Sequence, residues 1–301
     1  MWRKVMNIMK LNIVVLIEKY KKVTDVAAEL GLKQPTVSFH MKNLEAELGT
    51  PLFLYRSGRV LLTDAGRALY QYALKIVSLT AEAERTVKQF SSPSKGTLEL
   101  EASFIPATYI LPNMLIQFMK LYPGINNSLT VQSDALLRER LRSRDIQMAI
   151  LHTSDWQDES FDFQLIVRDE PVLIFAPGHP FEDLEKLTPE LIANEPWIQH
   201  EQGSCLRGYA DQWAQFNQIR LWNRSELNSP EVIKQLVNGS DCVGICSKAA
   251  VKAEIELGKL SYANLPGILP ESGGFVLGWR KDHILTPLQQ SFVEIVTTLD
   301  L

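Results

Sequence analysis

The chain has 301 residues, 46% hydrophobic and 22% charged, enough to bury a sizeable core in two or three domains, which excludes a disordered chain. No apolar run approaches the ~20 residues of a spanning helix, and the apolar stretch behind Arg3 and Lys4 is broken by Asn7, Lys10 and Asn12 without a small-residue cleavage site, so neither membrane insertion nor export is expected and the predicted address is cytoplasmic. A net charge of −4 hides an asymmetry: residues 1–64 carry ten Lys/Arg against six Asp/Glu, a basic head on an acidic body, as DNA binding by one end requires.

Ile8, Leu11, Val14 and Ile17 recur at helical spacing and predict a first helix ending in Lys19–Lys22. Thr24 is placed to cap a second helix through Val26, Ala27 and Leu30, closed by Gly31. Gln34-Pro35 opens a third helix with Val37, Met41, Leu44 and Leu48 on its core face and Gly49 at its end. Leu52–Leu54 and Val60–Leu62 flank Ser57-Gly58, the pattern of a short hairpin, or wing. From Asp64 to Phe90 apolar residues follow at threes and fours without a proline, predicting one helix of about 40 Å that calls for a partner helix.

Ser91 to Gly96 reads as a linker. Beyond it, strands at Thr97–Ala102, Leu129–Val131 and Ile146–Leu151 alternate with helices at Ile110–Leu121 and Leu136–Ser143, which predicts a parallel sheet covered by helices. The alternation resumes with an apolar strand Val172–Ala176, helices after Gly203 and after Ser229-Pro230, and a strand Cys242–Cys246. A strand Phe275–Trp279 and a helix Pro287–Leu299 close the chain.

Two short helices joined through Gly31 form the bihelical unit that fits a major groove. Off the core stripe of the second lie Gln34, Thr36, Ser38, Phe39, His40, Lys42 and Asn43, mostly side chains that hydrogen-bond base edges or phosphates. The runs Val26-Ala27-Ala28-Glu29-Leu30, Gln34-Pro35-Thr36-Val37-Ser38, Leu44-Glu45-Ala46-Glu47-Leu48-Gly49, Leu52-Phe53, Arg56 and Leu62-Thr63-Asp64-Ala65-Gly66 resemble the DNA-binding domain of the LysR family nearly position for position, and the linker and alternating pattern extend the resemblance over the whole chain. The fold class it implies is α+β and multidomain: a winged helix-turn-helix (1–64), a linker helix for dimerisation (65–90) and a two-lobed α/β effector domain of the periplasmic-binding-protein type (91–301; lobe I 97–168 and 266–301, lobe II 169–265).

The resemblance further implies a homodimer or homotetramer on an inverted-repeat promoter site in double-stranded DNA, with RNA polymerase as a candidate partner. Gln34, Pro35, Ser38 and Phe39 would face bases, and Thr36, Lys42, Arg56 and Arg59 would hold phosphates, with His40 beside them. Lys33 stands where the family usually has a capping serine, exchanging a cap for a phosphate contact, and Phe39 where it often has a polar side chain. Met1–Val5 extend past the usual family start, which leaves Met1, Met6 and Met9 as alternative initiators.

Ligands of such two-lobed domains sit in the cleft at the carboxyl ends of the strands. Ser103 with Phe104, Gly203-Ser204 and Ser229 fall at expected helix starts there, where free N–H groups favour anions, so a small carboxylate is the predicted effector class. Each serine also reads as an ordinary helix cap. His152 and Thr153 end a strand at the same cleft, and Arg207 is either an anion clamp or a solvated helix residue. The three cysteines, Cys205, Cys242 and Cys246, read as buried or idle thiols. Five scattered histidines give no metal-ligand cluster and no nucleophile elbow or phosphate loop appears, so neither an enzyme nor a cofactor is expected. A solute-binding protein would have no use for residues 1–90, nor a sequence-tolerant architectural DNA binder for the acidic two-lobed body.

Overall fold

The computed structural model describes residues 6–56, 58–90, 96–154 and 158–298. Met1–Val5, Ser57 and the linker residues 91–95 therefore lie outside the described residues. The chain divides into two compact units, residues 1–88 with 143–145, and 89–142 with 146–301.

The first unit packs α1 (Ile8–Tyr20), α2 (Val23–Glu29) and α3 (Gln34–Leu48) around Val14, Ile17, Val26, Val37, Met41 and Leu44, all buried. Asn7 caps α1 by accepting the Lys10 N–H at 2.9 Å, and the Lys10 ammonium, buried, reaches Glu47 at 2.5 Å and ties α1 to the end of α3. Thr24 is not the cap of α2: Lys22 is the capping residue, and the Thr24 hydroxyl sits in the first turn donating to Asp25. Gly31 (φ +63°) turns the chain between α2 and α3 in the left-handed region open to glycine. Leu48, expected in the core stripe of α3, is exposed, because the stripe drifts off the contact face by the fourth turn.

The wing pairs β1 (Phe53–Arg56) with β2 (Arg59–Leu62), antiparallel, with Arg56 opposite Arg59 at the tip. The Glu45 carboxylate accepts the Leu52 and Phe53 N–H groups at 2.7 and 3.0 Å, fastening the wing to α3. Thr63 caps α4 (Asp64–Phe90) by accepting the Gly66 N–H. At Gly66 a Cβ would lie 2.3 Å from the Leu52 carbonyl oxygen, so only glycine lets α4 start here. Along α4, Tyr72, Ile76, Leu79 and Val87 are exposed and leave an uncovered apolar stripe.

The second unit contains two five-stranded sheets. Sheet one is built from β3 (Gly96–Ala102), α5 (Phe104–Tyr109), α6 (Leu111–Leu121), β4 (Ile125–Val131), α7 (Asp134–Ser143), β5 (Met148–Thr153) and β6 (Phe161–Arg168). The chain then crosses to sheet two: β7 (Pro171–Phe175), α8 (Pro189–Ala193), β8 (Pro196–His200), α9 (Cys205–Phe216), β9 (Trp222–Leu227), α10 (Pro230–Asn238), β10 (Val243–Ser247), α11 (Lys248–Glu256) and β11 (Ser261–Ala263). It returns through β12 (Gly274–Arg280), which enters sheet one between β5 and β6, and ends in α12 (Pro287–Thr298).

The sheets are mixed rather than parallel: β3 runs parallel to β4 and β5, but β12 is antiparallel to both its neighbours, and β7 is antiparallel to β10 and β11. The strands that cross over between lobes arrive from the opposite end, which reverses their sense. The central strands β5, β8 and β10 are buried at every position, as strands with both faces covered must be. Among the described residues no helix is long and apolar enough to cross a membrane.

Candidate nucleic-acid interface and effector cleft

On α3 the core residues Val37, Met41 and Leu44 fix one face, and the remainder is what can meet a partner. Lys33, Gln34, Pro35, Phe39 and Lys42 are exposed and Thr36, Ser38 and His40 half-exposed. Phe39 is 61% exposed, an apolar ring held clear of the core beside His40. Lys33 stands at the cap position of α3, where its ammonium, a donor without an acceptor, cannot bond the free N–H groups of the first turn. Arg56 and Arg59 are exposed together on the wing. The surface offers donors, small side chains and one apolar ring from a helix, flanked by cations, the composition that reads duplex DNA.

In the second unit the carboxyl ends of β5 and β8 and the start of α9 converge on one cleft. Its inner part, lined by Ser103, Phe104, Asp134, His152, His200, Glu201, Ser204 and Cys205 among others, holds about 30 Å³ of free space, room for about one or two waters. Its outer part is a groove of about 400 Å³ lined by Arg138, Arg142, Thr153, Gly203, Ser204 and Arg207 among others.

Ser103 is buried and precedes α5, but its hydroxyl makes no capping bond; it accepts the His152 N–H at 3.1 Å. The same N–H is shared with the Asp134 carboxylate at 3.0 Å. Burial raises the pKa of Asp134 above the usual carboxylate range, against His152, Ser103 and Arg138, which favour its charge. Asp134 thus occupies donors that an incoming anion would otherwise use.

Ser204 caps α9, accepting the Arg207 N–H at 3.2 Å, after Gly203 in a left-handed turn (φ +86°). Ser229 caps α10, accepting the Val232 N–H at 3.4 Å, and does not line the cleft, where its neighbours Asn228 and Pro230 do. Arg207 is neither a ready clamp nor solvated: its Nε meets both Asp211 oxygens at 3.0 Å, and its Nη1 meets Glu226 at 2.6 Å and the His200 carbonyl at 3.2 Å. Two acids raise its pKa despite burial and consume its charge. Thr153 is buried and accepts from Arg138.

His152 is buried against Phe275, with Nε2 2.9 Å from Asp169 Oδ2. Burial works against the imidazolium, but the Cys205 thiol, which hydrogen-bonds the ring, and the Asp169 carboxylate outweigh it and raise the His152 pKa well above 6.5. Ser247 donates to the other Asp169 oxygen. His200, also buried, has its Nε2 3.0 Å from the Ile245 carbonyl, and burial pushes its pKa down to about 4.

Sequence reasoning passed over Asp134, Arg138, Asp169, His200 and Glu201. A charged residue on an amphipathic helix such as α7 looks solvated in sequence, and the partners that bury it come from distant segments. Among the described residues no group of three His, Cys, Asp or Glu could hold a metal ion.

Comparison with known proteins bears on both surfaces. A family model described as "LysR substrate binding domain" matches residues 91–299, and one described as "Bacterial regulatory helix-turn-helix protein, lysR family" matches residues 8–67. The HTH-type transcriptional regulator CysL of Bacillus subtilis is 26% identical over 95% of this chain and 92% of that protein. The HTH-type transcriptional activator CmpR of Synechocystis is 27% identical over 92% of this chain and 90% of that protein. Among solved structures, full-length CbnR complexed with its target DNA aligns with a TM-score of 0.66 at 18% identity, covering 97% of this chain and 99% of that one. The Synechocystis CcmR regulatory domain in complex with 2-PG aligns with a TM-score of 0.62 at 22% identity, covering 67% of this chain and 96% of that one.

Proposed function

The chain belongs to the LysR family of transcriptional regulators, and on that premise we propose that it reads an inverted-repeat promoter site as a homodimer or homotetramer and responds to a small anionic effector, a carboxylate first of all, held in the cleft of its α/β unit. Gln34, Pro35, Ser38 and Phe39 face bases, while Lys33, Thr36, His40, Lys42, Arg56 and Arg59 lie along the phosphates. The exposed stripe Tyr72, Ile76, Leu79 and Val87 on α4 supports pairing with a second copy, since a helix with so wide an apolar face is stable only when that face is covered. CbnR, with its target DNA, and CcmR, with 2-PG, are neighbours in fold that engage the two classes of partner named here. The relatives are regulators rather than enzymes, and a promoter-binding role puts the chain in the cytoplasm.

Arg138 carries the effector reading. Arg142 is paired with Asp158 and Arg207 with Asp211 and Glu226, whereas Arg138 donates to the neutral Thr153 hydroxyl and acts on the buried Asp134 only through its field. It brings positive charge into the outer groove a short way from the amide groups that open α9, a pairing that favours an anion. Ser103, Phe104, His152, Thr153, Gly203 and Ser204 form the remaining walls. Ser229 and Arg207 act one step back, the first by capping α10 and the second by holding α9 to β9.

Thermal unfolding of the full chain with a panel of small mono- and dicarboxylates, sulfate and phosphate tests this. A ligand at 100 times its Kd adds about 2.7 kcal/mol to the stability of the state it binds, a rise of several degrees that Arg138→Gln should abolish. If no anion moves the melting temperature of the wild-type protein, the anion assignment fails; if Arg138→Gln responds like wild type, Arg138 is not its seat.

A further inference from the structure

The cleft has two compartments of unlike chemistry, the groove of about 400 Å³ that Arg138 lines and the space of about 30 Å³ behind it. Asp134, Ser204 and Cys205 line both and stand at the passage between them. The smaller space holds little more than one oxygen or nitrogen atom with its hydrogens. The groups facing it therefore decide which single part of a ligand it can take.

Those groups accept hydrogen bonds. His200, on β8, is more than nine-tenths buried, and its Nε2 lies 3.0 Å from the Ile245 carbonyl. A carbonyl only accepts, so Nε2 carries the ring proton and Nδ1 holds a lone pair. Burial pushes the pKa of this ring down to about 4, which keeps it neutral, and so an acceptor, at pH 7. Asp134, at the start of α7 in the lobe of sheet one, is also buried, and its carboxylate accepts the His152 N–H. Ser103, Ser133 and Ser204, the hydroxyls of the same wall, each accept a backbone N–H and are turned to the main chain. An anion pushed into this space would meet a carboxylate and a lone pair, whereas an ammonium meets two acceptors.

We propose that the effector is an α-amino acid, its carboxylate on Arg138 and the amides opening α9, its ammonium in the inner space between Asp134 and His200, and its side chain in the outer groove. This rests on the anion reading of the cleft given above and names the group that stands beside the anion. Arg138 follows Asp134 by four residues on α7, so the two opposite charges share a helix face one turn apart. Each is bonded to a different partner, Arg138 to Thr153 and Asp134 to His152, and an amino acid carries the complementary pair of charges on one carbon. Its ammonium gives a donor to two acceptors that burial leaves short of water. A hydroxyl in the same place has one proton and serves one of them, and a methylene serves neither.

Isothermal titration calorimetry of the full chain at neutral pH with matched acids tests this: propionate, lactate and alanine; succinate, malate and aspartate; phenylpropionate, phenyllactate and phenylalanine. In at least one series the amino acid should bind about tenfold or more tighter than the plain acid, with the hydroxy acid between them, and Asp134→Asn should bring that ratio to within about twofold of unity. If the inner space merely holds a water, plain acids will bind as tightly as amino acids in every series, and the proposal is overturned while the anion reading stands. A hydroxy acid that outbinds its amino partner throughout, or a ratio unchanged in Asp134→Asn, overturns it in the same way. Heat from none of the acids sinks the anion reading and this proposal with it. Should Asp134→Asn fail to fold, the wild-type ratios decide by themselves.

Discussion

Acid should unfold the α/β unit partly through one residue, His200, and replacing it should remove a measurable share of that sensitivity. His200 is fully buried on β8 with its Nε2 facing the Ile245 carbonyl, and its pKa falls from 6.5 to about 4. A base whose folded pKa is depressed binds its proton more readily in the unfolded chain. Its contribution to stability is therefore intact above pH 6.5, declines as pH falls from 6.5 towards 4 and is constant below. At 1.36 kcal/mol per pKa unit the loss reaches about 3 kcal/mol.

His152 does not interfere in that window. Its pKa is raised, so the stability it contributes is present below 6.5 and lost only as pH rises through its higher folded value. The raised pKa of Asp134 acts on wild type and variant alike. His200→Gln keeps a donor for the Ile245 carbonyl and carries no titrating group. Urea unfolding followed by tryptophan fluorescence suits the measurement, because Trp197, Trp213, Trp222 and Trp279 all lie in the second unit. Between pH 7 and 4 wild type should lose about 3 kcal/mol more than His200→Gln. Equal slopes for the two proteins would refute the reasoning.

Three further outcomes are expected. Gly66→Ala should destabilise the first unit by about 1–3 kcal/mol, since the new Cβ meets the Leu52 carbonyl 2.3 Å away and the wing or α4 must shift; circular dichroism melting of the full chain reads it, and an unchanged first transition would contradict it. Gln34→Ala should cost about 1–3 kcal/mol on the promoter site and little on random DNA, whereas Arg56→Ala should weaken both and lower the salt slope by about one, as fluorescence anisotropy at several salt concentrations will measure. Tyr109→Phe removes the phenol that accepts from Lys234 at 2.6 Å and donates to Glu231, but leaves Lys234 its Glu254 and Ala250 partners; the urea midpoint should fall by the equivalent of about 1 kcal/mol, and a loss of several would mean that Lys234 is not otherwise satisfied.

What the sequence disclosed was local. Apolar spacing located α1, α3, α4 and the strands around Leu100, Ile150 and Ile245, and the glycines at 31 and 49 marked turns that need a left-handed backbone. Thr24 misled because a hydroxyl just before an apolar run looks like a cap, whereas α2 starts one residue earlier. The strands β6, β8, β9 and β11 escaped notice: β6, β9 and β11 are edge strands with polar positions, and β8 opens on Pro196 and has only Trp197 and Ile198 before Gln199 and His200, patterns that a loop shares. Mixed sheet polarity was beyond reach, since the sense of β12 depends on pairing with β5 more than a hundred residues away. The cleft was half legible. Ser204 and His152 sit at element ends that periodicity can find, while Arg138, Asp134 and Asp169 matter only through partners brought near by folding, and Arg207 lost its apparent role to Asp211 and Glu226.

The outer groove that Arg138 lines offers about 400 Å³, whereas the space behind it, between Ser103, Asp134 and Cys205, offers about 30 Å³. An anion seated by Arg138 would therefore keep its far end on the outer side, so that homologous acids are told apart by the groups beside their charge and hardly by their overall length.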